Sequence, residues 1–306
     1  MENLFSAWDE FKKDKKWKRD VQKFEWKLEE NIFELHRNLK DGKYKHGAYT
    51  SFFIHDPKQR HVHKATVRDR ILHHAIFNVV NPIFEPTFTS DSFSCRIGKG
   101  THKGIAVLAE TLTAMSKNNF KQCFALKCDI KKFFDAVEHN KLLYLIRKRI
   151  ADGKAIQLLE ETIDSFTSEQ SDIFYKRGLP IGNLTSQLFA NIYLNEFDQF
   201  IKHILKIKRY CRYTDDFVIV SDNRSYLVNL IPKIKFFLTT NLQLELHPKK
   251  VSIRKFRQGV DFLGYVILPH HRGLRSKTKR RIFKKLEVRI KEHHSGIISR
   301  QTLEQC

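Results

Sequence analysis

Tyr210-Cys211-Arg212-Tyr213-Thr214-Asp215-Asp216-Phe217-Val218-Ile219-Val220 sets two adjacent acids between two short apolar runs. Tyr210 to Tyr213 and Phe217 to Val220 have strand character, so the segment is predicted to be a β-hairpin with its acids at the turn. A bare Asp-Asp pair most often marks a solvated turn. Between buried strands, however, two carboxylates carry a large desolvation cost unless a metal or another cation compensates it.

A third acid has the same setting. Phe124-Ala125-Leu126-Lys127-Cys128-Asp129-Ile130 is a short apolar run bounded by charge, read as a buried strand that ends at Asp129. The spacing, 215 − 129 = 86 residues, leaves room for two helices between paired strands. Carboxylates converging on one point are what two divalent ions about 4 Å apart require, one activating a hydroxyl and one holding a triphosphate.

Around these segments, residues 5 to 40 have apolar positions at helical spacing (Phe24, Leu28, Ile32, Leu35, Leu39), predicting one N-terminal helix closed by Asp41-Gly42. Tyr49 to Ile54 reads as a strand, and Val67 to Val80 as a helix ended by Asn81-Pro82. Further helices are predicted over Asn140 to Ile150, Thr185 to Ile207 and Leu227 to Thr240. Leu242 to Leu246 alternates like a strand, Val260 to Ile267 is aromatic and β-branched around Gly264, and the tail from Arg272 reads as a basic helix. Strands interleaved with helices, without strict βαβ repetition, predict an α+β fold: a sheet backed by helices, with flanking lobes.

The chain has 306 residues, 41% of them hydrophobic, which is enough for a sizeable divided core. Its 56 Lys and Arg outnumber 34 Asp and Glu, for a formal charge of +22, and a polyanionic partner, nucleic acid first, is the expectation. A basic surface kept for solubility or for anionic lipid is the bland alternative. No run approaches the ~20 apolar residues of a membrane span, and the first twenty residues lack an apolar signal region, so a cytoplasmic location is expected. Five cysteines (Cys95, Cys123, Cys128, Cys211, Cys306) show no CxxC pair and read as reduced, mostly buried thiols. His61, His63, His73 and His74 have no Cys or acid to complete a zinc set and are read as polar residues near a phosphate-handling loop.

Tyr213-Thr214-Asp215-Asp216 matches the Tyr-x-Asp-Asp box of reverse transcriptases, and Asp129-Ile130-Lys131-Lys132-Phe133-Phe134 resembles their first catalytic block. Further segments resemble that family in its own order: Pro57 to Arg70 the fingers, Gly178 to Leu194 the nucleotide-binding loop and helix, Leu244 to Lys250 the lysine block, and Phe262-Leu263-Gly264-Tyr265 the primer grip. The resemblance spans about residues 24 to 290. It implies a right-hand polymerase with an antiparallel palm sheet: fingers over 1–120, palm over 121–267 with a helical fingers-like insertion near 140–178, and a short basic thumb over 268–306.

The resemblance also implies roles. Asp129, Asp215 and Asp216, with the backbone of Ile130, would hold two Mg²⁺ ions, or Mn²⁺ in their place. Arg60 and Lys58 would hold the triphosphate, since guanidinium forks suit phosphate oxygens, and Lys250 would lie near the leaving pyrophosphate, although Lys249 beside it leaves the register open. Phe134 stands where the family places a ring that excludes a 2′-hydroxyl; the alternative is that Phe133 and Phe134 both belong to the core. Ile181, Gly182, Ser186 and Gln187 fall in the nucleotide-binding loop, where most family members have Gln-Gly-x-x-x-Ser-Pro.

Ile181 in place of Gln and Gln187 in place of Pro resemble the enzymes of diversity-generating retroelements, as does Pro269-His270-His271-Arg272. Replacing an amide beside the nascent base pair by an apolar side chain removes a hydrogen-bonding group, so discrimination should loosen; the resemblance adds errors at template adenines. Implied partners are an RNA template, a DNA or RNA primer, deoxynucleotides, a small basic accessory protein and a structured template RNA, with no membrane. The basic tail (Arg272, Arg275, Lys277, Lys279, Arg280, Arg281, Phe283) fits a helix tracking the template-primer backbone, or a solvated charged face. Two rival readings stay open: a phage-defence or retron-like reverse transcriptase, and a catalytically idle RNA-binding protein that keeps the fold.

Overall fold

A computed structural model describes residues 1–55 and 59–304. The chain opens with α1 (Glu2–Lys12), α2 (Arg19–Glu25) and α3 (Leu28–Lys40), continues through the hairpin β1 (Thr50–Ile54) and β2 (Arg60–Lys64), and reaches α4 (Val67–Phe84) and α5 (Thr101–Met115). Next come β3 (Phe124–Asp129), α6 (Phe133–Ala136), α7 (His139–Arg147), α8 (Gly153–Asp164) and α9 (Leu184–Gln199). The hairpin β4 (Tyr210–Tyr213) and β5 (Asp216–Ser221), α10 (Arg224–Leu242), β6 (Ser252–Lys255), β7 (Val260–Phe262), β8 (Tyr265–Ile267), β9 (Arg272–Leu274), α11 (Ser276–His294) and α12 (Arg300–Glu304) complete it.

The architecture is the expected α+β one. Strands β4, β5, β3 and β6 form a four-stranded sheet in that order, antiparallel throughout, and β7, β8 and β9 form a second antiparallel sheet. Alternation along the central strands sends side chains to two cores. Phe124, Leu126, Cys128, Phe217 and Ile219 face α9 and α10, where Phe197 and Phe217 meet edge-on at 4.9 Å. Ala125, Cys211, Val218 and Val220 face the other way, onto Ile105, Leu108 and Leu112 of α5 and Phe262 and Ile267 of the second sheet. One edge, β6, is polar and mostly exposed. The other edge, β4, is covered where Ser92 bridges Arg212 and the Phe93 amide donates to the Arg212 carbonyl at 2.9 Å. Among the described residues no helix is long and apolar enough to cross a membrane.

Several elements differ from the sequence expectation. The single N-terminal helix is three helices: Asp14 turns into left-handed backbone (φ 59) amid a lysine run and ends the first, and Trp8 and Phe11 of α1 bury in one core with Ile32 and Leu35 of α3. Pro82 does not end α4 but lies inside its last turn, where the one carbonyl deprived of its amide partner is close to the helix end. Four helices, not two, lie between β3 and β4. Leu242 to Leu246 is not a strand: Leu242 ends α10, Gln243 turns left-handed (φ 51), and Leu246 makes a lone bridge to Ile130. The tail forms β9 before its helix begins at Ser276.

Helix α4 carries two buried polar residues, Asp69 and His73. Asp69 accepts hydrogen bonds from the Tyr44 hydroxyl (2.9 Å), the Gly47 amide (3.0 Å) and the Thr66 hydroxyl (2.6 Å), tying residues 44–47 to the helix start. His73 lies 3.3 Å from His46 between the two Nε2 atoms, and its Nδ1 is buried without a partner. Burial, reinforced by His46 and partly offset by Asp69, pushes the His73 pKa down from 6.5 to about 3. The unfolded chain therefore binds the proton more readily, so the stability allowed by a neutral His73 is complete above pH 6.5 and is lost as pH falls toward 3. Lowering the pH from 7 to 5 is expected to cost about 2 kcal/mol of unfolding free energy through this residue, and urea titrations of His73→Gln should show a flatter pH dependence. Equal slopes in the two proteins would refute that assignment.

Candidate active site

The register of β3 against β5 brings the acids together. Asp129 and Asp216 are direct cross-strand partners, so both carboxylates leave the same face of the sheet. Tyr213 pairs with Asp216 across the hairpin, which leaves Thr214 and Asp215 as a two-residue turn. The Ile130 amide donates to the Asp215 carbonyl at 3.0 Å and ties that turn to the end of β3. All three acids line one cavity of about 590 Å³.

Charge in the cavity is only partly balanced. Lys250 Nζ lies 2.8 Å from Asp129 Oδ1, and Lys127 Nζ lies 3.4 Å from Asp216 Oδ2 and 3.5 Å from Asp261 Oδ1. Burial pushes the Asp216 carboxyl up to about 6, with Lys127 opposing and Asp215 and Asp129 adding to the rise. Burial and then Asp129 raise Asp215 as well, against the pull of Lys250 and Arg60. Asp216 Oδ1 is buried with no hydrogen-bond partner. Among the described residues no three His, Cys, Asp or Glu side chains stand in ligand positions around a common point, and lysines pair with one oxygen each of Asp129 and Asp216. An orphaned buried carboxylate oxygen beside two further carboxylates nevertheless suits a hard divalent cation, which takes oxygen ligands.

Other elements close the cavity. Arg60 enters from the start of β2, the loop before α9 contributes Ile181 and Gly182, and the first turn of α9 contributes Ser186 and Gln187. The two are joined: the His63 amide donates to the Ile181 carbonyl (3.1 Å) and Asn183 Nδ2 to the His63 carbonyl (3.1 Å). Phe134 is a half-buried wall, whereas Phe133, meeting it edge-on at 5.4 Å, is 2% exposed and belongs to the core. Lys250 is reached through the segment after α10, where the Lys131 amide donates to the Glu245 carbonyl and the His247 amide to the Asp129 carbonyl.

The Phe262-Leu263-Gly264-Tyr265 segment is the turn between β7 and β8, with left-handed backbone at Leu263 (φ 50) and Gly264 (φ 86), the combination a two-residue hairpin turn favours. Leu263 lines the cavity; Phe262 is core, and Gly264 and Tyr265 do not line it. Ile130 is buried and meets the site only through its backbone. Lys58 lies outside the described residues, as does Cys306; Cys95 is exposed at the cavity, and Cys123, Cys128 and Cys211 are buried. His61 and His63 line a second cavity that shares Arg60 and Ile181 with the first. Lys127, Ser94, Lys132, Asp135 and Asn183 are site residues that sequence reasoning missed. Lys127 had a visible signal, since it stands two residues before Asp129 and so on the same strand face.

Comparison with known proteins bears on the family and the fold. A family model described as reverse transcriptase (RNA-dependent DNA polymerase) matches residues 54–267. Protein YkfC of Escherichia coli (strain K12) is 28% identical over 249 residues, covering 70% of this chain and 62% of that protein. The group II intron-encoded protein LtrA of Lactococcus lactis subsp. cremoris is 24% identical over 312 residues, covering 80% of this chain and 51% of that protein. The chain thus spans about half to three fifths of the length of these relatives. Among solved structures, telomerase from Candida albicans in complex with a fragment of telomeric RNA matches with a TM-score of 0.56 at 12% identity, covering 82% of this chain and 50% of that one, a likeness of fold.

Gly182 has φ 113, and a Cβ there would stand 2.8 Å from Val62 Cγ1. Gly182→Ala is therefore expected to lower the unfolding free energy by about 1–3 kcal/mol in urea titrations, and Gly182→Val by more. An unchanged midpoint would show that the loop does not need its close seat on β2.

Proposed function

This chain belongs to the reverse transcriptase family, and from that membership we propose that it extends a primer along an RNA template by adding deoxynucleotides. The observation that carries the reading is the convergence of Asp129, Asp215 and Asp216 on a cavity that also receives Arg60 and Lys250. Two carboxylate-bound Mg²⁺ ions, or Mn²⁺, would activate the primer 3′-hydroxyl and neutralise the triphosphate. Arg60 would fork onto phosphate oxygens, and Lys250 would exchange the Asp129 carboxylate for the departing pyrophosphate. Phe134, a wall of the cavity, would lie under the sugar and exclude a 2′-hydroxyl, while the turn at Leu263 would bear on the primer end.

In this reading residues 1–120 are fingers, 121–267 a palm with a helical insertion near 140–178, and 268–306 a thumb. The palm assignment is supported by the four-stranded sheet, whose strands all fall within it, and the thumb assignment by the basic α11. Replacing both Asp215 and Asp216 with Asn should reduce incorporation by on the order of 10²- to 10³-fold or more while RNA binding persists. Unchanged activity in that double variant would instead favour an idle RNA-binding protein.

Ile181 at the cavity wall and Gln187 beside it favour an error-prone enzyme of a diversity-generating retroelement, working with a small basic accessory protein and a structured template RNA. Ile181 offers no amide to the nascent pair. Sequencing the cDNA copied from a defined RNA should reveal substitutions concentrated opposite template adenines; faithful copying there would point to a phage-defence or retron-like enzyme.

A further inference from the structure

The turn that carries Asp215 is conformationally costly, because its first residue, Thr214, is β-branched and sits in left-handed backbone at φ 52. Such backbone persists only where its surroundings impose it. Two contacts do so. Arg212 Nη1 donates to the Thr214 carbonyl at 3.2 Å, and the Ser94 and Thr214 hydroxyls lie 2.8 Å apart.

Arg212 is itself fixed with unusual completeness. It is fully buried and forks onto Asp198 of α9, also fully buried, through Nε to Oδ1 (2.7 Å) and Nη2 to Oδ2 (2.5 Å). Nη2 also donates to Ser92 Oγ at 2.9 Å, and the Tyr210 hydroxyl donates to Asp198 Oδ1 at 2.8 Å. A buried ion pair is a poor device for stability alone, since well-packed apolar residues often serve as well. What apolar residues cannot supply is a donor aimed at the Thr214 carbonyl.

We infer that the Arg212–Asp198 pair, together with Ser94, forms a positioning clamp that holds Thr214 left-handed and thereby turns Asp215 and Asp216 toward Asp129. Neither Arg212 nor Asp198 lines the cavity; they act through the turn. The inference deepens the polymerase reading and rests on it for its consequence in catalysis, whereas its consequence for cation binding can be read on the protein alone. Lysine has one nitrogen and cannot reach both Asp198 oxygens, Ser92 and the Thr214 carbonyl together.

The test measures Mn²⁺ binding by the full chain without nucleic acid, thermal unfolding, and DNA synthesis on an RNA template with a DNA primer. Arg212→Lys should unfold cooperatively, bind Mn²⁺ about 10-fold or more weakly, and lose a similar factor in kcat with little change in KM for the deoxynucleotide. Adding Thr214→Gly, which accepts left-handed backbone without cost, should restore most of both losses, a rescue that a merely structural role would not produce. Mn²⁺ affinity equal to wild type in Arg212→Lys, or no rescue by Thr214→Gly, would overturn the clamp. If Arg212→Lys does not fold, Ser94→Ala, which removes the second contact to Thr214, decides the matter in the same way: weaker Mn²⁺ binding supports the clamp and wild-type binding refutes it. A wild-type chain that binds Mn²⁺ but copies no template defeats the polymerase reading alone, and a wild type that binds no Mn²⁺ defeats both.

Discussion

The pairing of β3 with β5 governs everything else in this molecule. Slipping that ladder by one residue would send Asp129 to the opposite face from Asp216 and reverse every side chain between the two cores. Register is fixed because both faces are apolar and differently shaped: Phe124, Leu126 and Cys128 fill the space above α9 and α10, while Ala125 leaves room for α5. The same alternation that buries Phe217 and Ile219 on one side delivers Asp216 to the other. Packing energy distributed over two cores is thus converted into the placement of two carboxylates.

Three acids at the end of such a ladder repel one another, and the fold answers with lysines. Lys127 reaches Asp216 diagonally along the sheet, and Lys250 arrives at Asp129 from the segment after α10. Lys127 also touches Asp261, which pairs with Arg275 just before α11, so the second sheet and the C-terminal helix are joined electrostatically to the acids. One carboxylate oxygen, Asp216 Oδ1, is left without any partner, and burial of that group raises its proton affinity.

Much of this was legible in the sequence because the signals were local. Apolar runs ending in acids marked β3 and the β4–β5 hairpin, and the turn at Leu263-Gly264 lay inside an aromatic, β-branched stretch. What escaped was set by tertiary context. Ser252-Ile253-Arg254-Lys255 has too little apolar character to read as a strand and becomes one because β3 offers it a free edge. Leu244 and Leu246 alternate like a strand but follow a left-handed Gln243, so only one bridge forms. Helix α5 carries its signal in the helical spacing of Ile105, Leu108 and Leu112. Asp198 reads as an ordinary polar residue near a helix end, and nothing in the chain between it and Arg212 announces that the two meet.

The edges of the four-stranded sheet have a consequence beyond the site. An exposed strand edge is a template on which another chain can pair, and sheets of this kind invite stacking between molecules. Here one side is closed by the segment around Ser92, whose backbone consumes groups on β4, and the other presents Arg254 and Lys255 along a short polar strand. Two molecules approaching along β6 would bring like charges together, within a chain whose formal charge is already +22. The sheet is therefore built to stop at four strands, its ladder closed on one side by the Ser92 segment and on the other by a short, basic edge.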